Sequence, residues 1–338
     1  MLTASYVGDH RMSVAEIEPV PPAAGEVQVA VAYVGICGTD LHILHGAMDA
    51  RVSMPAIIGH EMSGTIAALG EGVTGWSVGD AVTVMPLDWD GTCPACLAGH
   101  QHICQHLDFV GIDSPGALQG RWNVRTDLLV PLPAGLSLEH AALVEPVAVA
   151  VHDVRRSELG DRDRVVVLGG GPIGALISLV ATDLGAEVLV SEPDAGRRAL
   201  LEGLGLRTLD PVAADLAAEV DSWTGTAGAD VVFEVSGAAP AVAAATAVAK
   251  VRGTIVVVAI HPQPQPVDLK QVFWRELRLL GARVYERTDF ERAVELLAGG
   301  SIPADAIITG VVPLAEVADA FATLESGQAM KILIEVPA

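Results

Sequence analysis

The chain has 338 residues, 51% of them hydrophobic, which is material for two domains each with its own core. Its 42 acidic and 20 basic residues give a formal net charge of -22, which excludes non-specific attachment to nucleic acid or to an anionic membrane. Four cysteines in a chain this long exclude a disulfide framework, and three of them fall between residues 93 and 104, which points to metal.

The N-terminal residues Met1 to Arg11 hold no apolar targeting core and no basic cluster, so a cytoplasmic protein is expected. Up to about residue 130, short β-like runs alternate with Gly, Asp and Pro: Glu26–Tyr33, Gly64–Leu69 and Ala81–Met85. A loop-rich stretch from Asp88 to Cys104 carries the cysteine cluster, and Gly135–Arg156 then reads as helical with Pro146 in a first turn. From Arg164 the pattern changes to strands rich in β-branched residues separated by helices (RVVVLG, EVLVSE, ADVVFEVSG, GTIVVVAI), the signature of a parallel, doubly wound sheet. The uncharged run Val165–Thr182 is long enough to raise a membrane span, but its five glycines and prolines suit a strand-turn-helix. Two amphipathic helices follow at Asp289–Gly299 and Leu314–Glu325, and KILIEV at 331–336 reads as a strand returning to the first domain.

Gly169, Gly171 and Gly174 form G-x-G-x-x-G between a strand and a helix. The first glycine permits the turn, the second lets backbone approach a pyrophosphate, and the third lets helix pack on strand. With Pro172 and Ile173 they open a helix whose free N–H groups suit phosphate. The next strand ends at Glu192, 18 residues beyond Gly174, where a carboxylate can accept from ribose hydroxyls. That acid repels a 2′-phosphate and favours NAD over NADP. Arg197 and Arg198 nearby are either part of the cofactor site or a solvated helix face.

The segment GICGTDLH brings Cys37, Thr39, Asp40 and His42 together, and GHE follows with His60 and Glu61. Thiolate, imidazole and carboxylate suit zinc. Singly, Cys37 is equally a small buried hydrophobe and His60 a satisfied interior histidine. The metalloprotease pattern is excluded, because Gly64 stands where its second histidine belongs.

GICGTDLH, the glycine-punctuated run from Gly59 to Asp80, EPVAVAVH at 145–152 and the G-x-G-x-x-G together resemble the zinc-dependent medium-chain dehydrogenase/reductase family, nearest its polyol branch of sorbitol, butanediol and threonine dehydrogenases. The resemblance spans essentially the whole chain. It implies an α/β protein with a GroES-like, mostly-β catalytic domain (1–147 and 286–338) and a Rossmann cofactor domain (148–285). It also implies an NAD-linked oxidoreductase acting on a secondary alcohol, a polyol or vicinal diol, or the corresponding ketone.

By that resemblance Cys37 and His60 hold a catalytic zinc, Glu61 reaches it in some states, and Glu145 takes the place of a third cysteine ligand. Asp40 orients the zinc histidine, while Thr39 and His42 relay the proton outward. Asp90, Cys93, Cys96 and Cys104 keep the spacing of the family's structural-zinc lobe, with Asp90 where it has a fourth cysteine. A carboxylate is an acceptable but weaker ligand there. His100, His102 and His106 stand close by as substitutes. Val235 and Ser236 of VSG and His261 with Pro262 match strand ends beside the cofactor. Arg283 and Tyr285 resemble a substrate-side pair. Lys331 is a cofactor contact or a solvated strand residue, and Trp122 is core or cleft lining. A homotetramer is expected, with a dimer as the alternative.

Three other classes fit the sequence less well. The Tyr-x3-Lys of short-chain dehydrogenases is absent: Tyr6, Tyr33 and Tyr285 are followed four residues on by His10, Cys37 and Asp289. A zinc-free quinone-reductase type would lack Cys37, His60 and Glu145. A catalytically silent NAD-binding protein would have no use for Thr39, Asp40 and His60.

Overall fold

The computed structural model describes residues 1–327 and 329–337. It divides into one unit of residues 1–145, 286–300 and 304–338 and a second of residues 146–285 and 301–303.

In the first unit, Glu26–Gly35 buries Val27, Val29 and Val31 on alternate positions, the period of a strand with one face on a core. It pairs antiparallel with Glu61–Leu69, Arg121–Arg125 and Lys331–Glu335, three segments from distant parts of the chain. Ile308–Pro313 extends the seven-stranded sheet at one edge, and Ala81–Val84 with Leu129–Pro131 at the other. KILIEV is thus the strand Lys331–Glu335, with Ile332, Leu333 and Ile334 buried. A short antiparallel hairpin, Leu2–Tyr6 with Met12–Glu16, precedes this sheet and is not legible as a hairpin from its turn residues. The helical stretch expected near residue 140 is two pieces, Leu138–Ala141 and Val144–Ser157. The second tail helix begins with a 3-10 turn before Val317–Glu325.

In the second unit, Arg164–Leu168 has no alternation. Val165 to Leu168 are all buried, as expected for a strand covered on both faces. Six parallel strands run 207–209, 187–191, 164–168, 229–234, 249–257, 278–281 across the sheet. Strand order reverses between Arg164–Leu168 and Ala229–Glu234, and crevices at such a reversal are where dinucleotides bind. Val166, Leu189, Val232 and Ile255 of the sheet pack with Val220, Ala245 and Val248 of its helices. Among the described residues no helix is long and apolar enough to cross a membrane.

Leu333 is fully buried in the strand that joins the tail to the first unit. Leu333→Ala is expected to cost about 2–5 kcal/mol, read as a lowered denaturation midpoint. An unchanged midpoint would show that this strand contributes nothing to the core.

Candidate active site and metal centres

The end of Glu26–Gly35 is the point on which the first site is built. Gly35 lies opposite Glu61 on one neighbour and opposite Leu333 on the other. A Cβ on Gly35 would run into the Glu61 side chain, so only glycine lets that carboxylate lie across the strand end. Two residues on, Cys37 caps the helix Gly38–Leu44. Its backbone N–H donates to Asp40 Oδ2 at 2.9 Å, which fixes Asp40 in the first turn. His60 and Glu61 arrive together at the start of Glu61–Leu69. Ligand atoms of Cys37, His60 and Glu61 then all lie within 4.8 Å of one another.

His60 and Asp40 are both almost fully buried, with His60 Nδ1 facing Asp40 Oδ1 at 3.8 Å. Phe109 meets the His60 ring edge-on at 5.2 Å between centroids. Because Nδ1 is turned to Asp40, Nε2 is the nitrogen left for Cys37 or for a metal. Burial opposes the His60 imidazolium, but Asp40, Cys37 and Glu145 together push its pKa well up. Burial raises the Asp40 carboxyl against the pull of His60. A soft thiolate, an imidazole oriented by a carboxylate and a further carboxylate make a donor set that fits zinc. Glu145, also buried, falls outside the 4.8 Å set, although its charge acts on His60 and on Lys331.

Lys331 stands beside these residues in a place that sequence reasoning did not assign to it. It is 3% exposed, which overturns the solvated alternative. Its Nζ donates to Glu61 Oε1 at 2.8 Å, to Glu61 Oε2 at 2.6 Å and to the Ile36 carbonyl at 3.1 Å. The ammonium is thereby spent inside the first unit. Burial opposes its charge, yet Glu61, Cys37 and Glu145 hold its pKa above the ordinary lysine value. No motif flags this pair, because 270 residues separate its members.

Asp90, Cys93, Cys96 and Cys104 form a second four-residue cluster, also within 4.8 Å. The turn Cys93–Leu97 presents Cys93 and Cys96 on one side, and all four cysteines of the chain are free thiols. Asp90 Oδ1 accepts from Thr92 and Cys93 N–H, and Oδ2 meets His106 Nδ1 at 2.5 Å. The N–H of Gln105 and of Cys96 pull the Cys93 thiol down to about 7, while burial pushes Cys96 up to about 12. His106 therefore partners Asp90 rather than replacing it, and His100 and His102 stand outside the cluster.

In the second unit, a Cβ on Gly174 would collide with the Gly169 carbonyl, which is the close helix–strand packing that requires glycine there. Gly171 caps the helix Pro172–Asp183 with no side-chain bond, leaving its first N–H groups for phosphate. Glu192 is 4% exposed and accepts from Gly170 N–H at 2.7 Å and Asp194 N–H at 2.8 Å. Arg198 is tied to the carbonyls of Glu192 and Pro193 and paired with Asp210, whereas Arg197 stays half-buried. This arrangement fits a nicotinamide dinucleotide.

Sequence reasoning missed Glu234, the acid of FEVSG, which is fully buried. Its Oε1 accepts from the N–H groups of Ser236 and Gly237 and from Ser236 Oγ, and its Oε2 lies 3.0 Å from His261 Nε2. The signal was an acid closing an apolar strand. Thr39 is half-buried and His42 exposed on the helix after Cys37. Trp122 is core, its Nε1 donating to the Pro115 carbonyl at 2.9 Å. Tyr285 has no exposed surface, whereas Arg283 is exposed.

The chain matches the alcohol dehydrogenase GroES-like domain over residues 23–134 and the zinc-binding dehydrogenase domain over residues 172–299. It is 55% identical to the 2-dehydro-3-deoxy-L-galactonate 5-dehydrogenase of Pseudoalteromonas atlantica, covering 99% of this chain and 98% of that one. It is 32% identical to the sorbitol dehydrogenase of Halalkalibacterium halodurans, covering 98% of each. The crystal structure of (2R,3R)-butanediol dehydrogenase from Bacillus subtilis superposes with a TM-score of 0.91 at 30% identity, over 100% of this chain and 99% of that one. The chain belongs to the zinc-dependent medium-chain dehydrogenase family, in its polyol branch. It is an oxidoreductase that uses zinc and a nicotinamide dinucleotide.

Asp90→Ala is expected to lower bound zinc from about two to about one per chain, because three thiols alone leave the tetrahedral set open. Metal analysis by mass spectrometry reads this directly. Unchanged stoichiometry would remove Asp90 from the ligand set.

Proposed function

We propose that the enzyme oxidises a secondary hydroxyl of a 2-dehydro-3-deoxy sugar acid with NAD as acceptor. The observation that carries this reading is the 55% identity to a dehydrogenase of that name over 99% of the chain, against 32% for the sorbitol dehydrogenase. When bound, zinc lowers the pKa of a coordinated hydroxyl and the nicotinamide accepts the hydride. Cys37 and His60 hold the zinc, with a carboxylate from Glu61 or Glu145 completing the set. Asp40 keeps the His60 ring turned so that one nitrogen stays on the metal. Thr39, two residues past Cys37, takes the hydroxyl proton, and the exposed His42 passes it to solvent. In the second unit the Gly169–Gly174 turn and the N–H groups after Gly171 seat the pyrophosphate. The Glu192 carboxylate receives the ribose hydroxyls and selects against a 2′-phosphate. Ser236 and His261, stitched to Glu234, and Val235 beside them frame the nicotinamide side.

The working form is a homo-oligomer, with a tetramer as the expected state, in a reducing cytoplasm where all four thiols stay free. Ile260, Leu269, Phe273, Trp274 and Leu279 are exposed within 20 residues beside the edge strand Arg278–Gly281. An apolar cluster of this kind on a sheet edge supports pairing with a second copy.

In an NAD reduction assay, kcat/KM for 2-dehydro-3-deoxygalactonate is expected to exceed that for sorbitol or butanediol by about tenfold or more, and to fall to background after zinc chelation. NADP should be the poorer acceptor. Preference for a simple polyol would refute the sugar-acid assignment. Trp274→Glu is expected to lower the oligomeric state in sedimentation velocity, and an unchanged mass would place the interface elsewhere.

A further inference from the structure

A sugar acid is an anion, and it must approach a chain whose own net charge is -22. Recognition of its carboxylate calls for a cation near the residues that react. Most cations of the first unit are held elsewhere. Lys331 is held by Glu61, Arg125 by Asp88 and Asp127, and Arg287 by Glu291 and two backbone carbonyls. Arg292 pairs with Glu295, Arg121 donates to the Gly120 carbonyl, and Arg11 lies between the strands of the first hairpin beside Asp9. Arg51 remains.

Arg51 lies on the turn that follows the helix Gly38–Leu44, the element carrying Thr39 and His42. Its Nε donates to Asp113 Oδ1 at 2.6 Å and its Nη2 to Asp113 Oδ2 at 2.5 Å. Asp113 is fixed in turn, because its Oδ2 accepts from the Phe109 N–H at 2.9 Å. Phe109 is the ring that meets His60. The same loop is clamped to the segment leading into His60: Gly116 N–H donates to the Ile57 carbonyl and Ala117 N–H to the Gly59 carbonyl. The guanidinium is thus anchored on the loop that packs against His60. A guanidinium has five N–H donors. Asp113 takes the Nε side and leaves the Nη1–Nη2 end, whose geometry matches a second carboxylate. Nη1 has no acceptor among the described residues, and the side chain is 41% exposed.

We propose that Arg51 binds the substrate carboxylate through that end and so distinguishes a sugar acid from an uncharged polyol. The two carboxylates then occupy different edges of one guanidinium, each on its own pair of N–H groups. Asp113 holds the guanidinium in place beforehand, so little side-chain freedom is left to lose when the acid binds. Held at Arg51 by one end and at the metal centre by the other, the open chain of the substrate is fixed at two points. That selects one secondary hydroxyl among several. This inference rests on the sugar-acid reading given above.

The test compares 2-dehydro-3-deoxygalactonate with its primary amide, which has nearly the same size and no charge, in the NAD reduction assay. The wild-type enzyme is expected to favour the acid by about thirtyfold in kcat/KM. Arg51→Met should remove that preference, lowering kcat/KM for the acid about thirtyfold and leaving the amide within about twofold. Arg51→Lys, which keeps the charge without the fork, should retain part of it. An unchanged preference in Arg51→Met overturns the proposal, and so does an equal fall on both substrates, which a broken loop contact would give. Should Arg51→Met not fold, Arg51→Lys decides on the same two substrates: a loss confined to the acid is expected, and no loss or an equal loss on both refutes the role. If the wild-type enzyme instead prefers sorbitol to the acid, the sugar-acid reading itself falls, and this inference with it.

Discussion

Taking a carboxylate out of water costs several kcal/mol unless a countercharge goes with it. The first unit nevertheless buries Asp40, Glu61 and Glu145 beside Cys37, with one imidazole and one ammonium among them. Lys331 neutralises one of these anions. A divalent cation between Cys37 and His60 would offset two more, which makes the metal a condition of the packing as much as a reagent. The local backbone follows from that need. Glycine at position 35 makes room for the Glu61 carboxylate, the capping of Cys37 by Asp40 fixes the helix start, and a strand from the far end of the chain supplies the cation.

The second unit handles its buried acids differently. Glu192 and Glu234 close the two strands that flank Arg164–Leu168, and each is stitched to backbone N–H groups of the following loop. Glu192 also reaches across to Gly170 in the glycine turn. These two loops are thus held by carboxylates anchored to backbone N–H groups. Arg198 beside them is committed to the carbonyls of Glu192 and Pro193 and to Asp210.

Legibility followed sequence distance. Interactions within a few residues were readable: the G-x-G-x-x-G turn, Glu192 at the next strand end, Asp40 after Cys37, and the cysteine spacing with Asp90 standing in for a fourth thiol. The parallel sheet was readable because unbroken β-branched runs have no second interpretation when helices alternate with them. Glu61 with Lys331 was not, because strand pairing through Glu26–Gly35 unites segments that no spacing rule connects. Glu234 was hidden for a different reason. An acid at the end of an apolar strand looks like a solvated terminus until the loop that covers it is seen. Trp122 was ambiguous because an aromatic ring with one polar atom suits core and cleft equally, and the Pro115 carbonyl decided it.

The order in which this chain leaves the ribosome is written into the first site. Cys37, His60 and Glu61 are synthesised early, whereas Lys331 follows Glu61 by 270 residues. Domains tend to fold from the N-terminal side as they emerge. A chain cut before residue 331 would therefore keep the thiol, the imidazole and the acid but leave the buried Glu61 carboxylate without the ammonium that pairs with it.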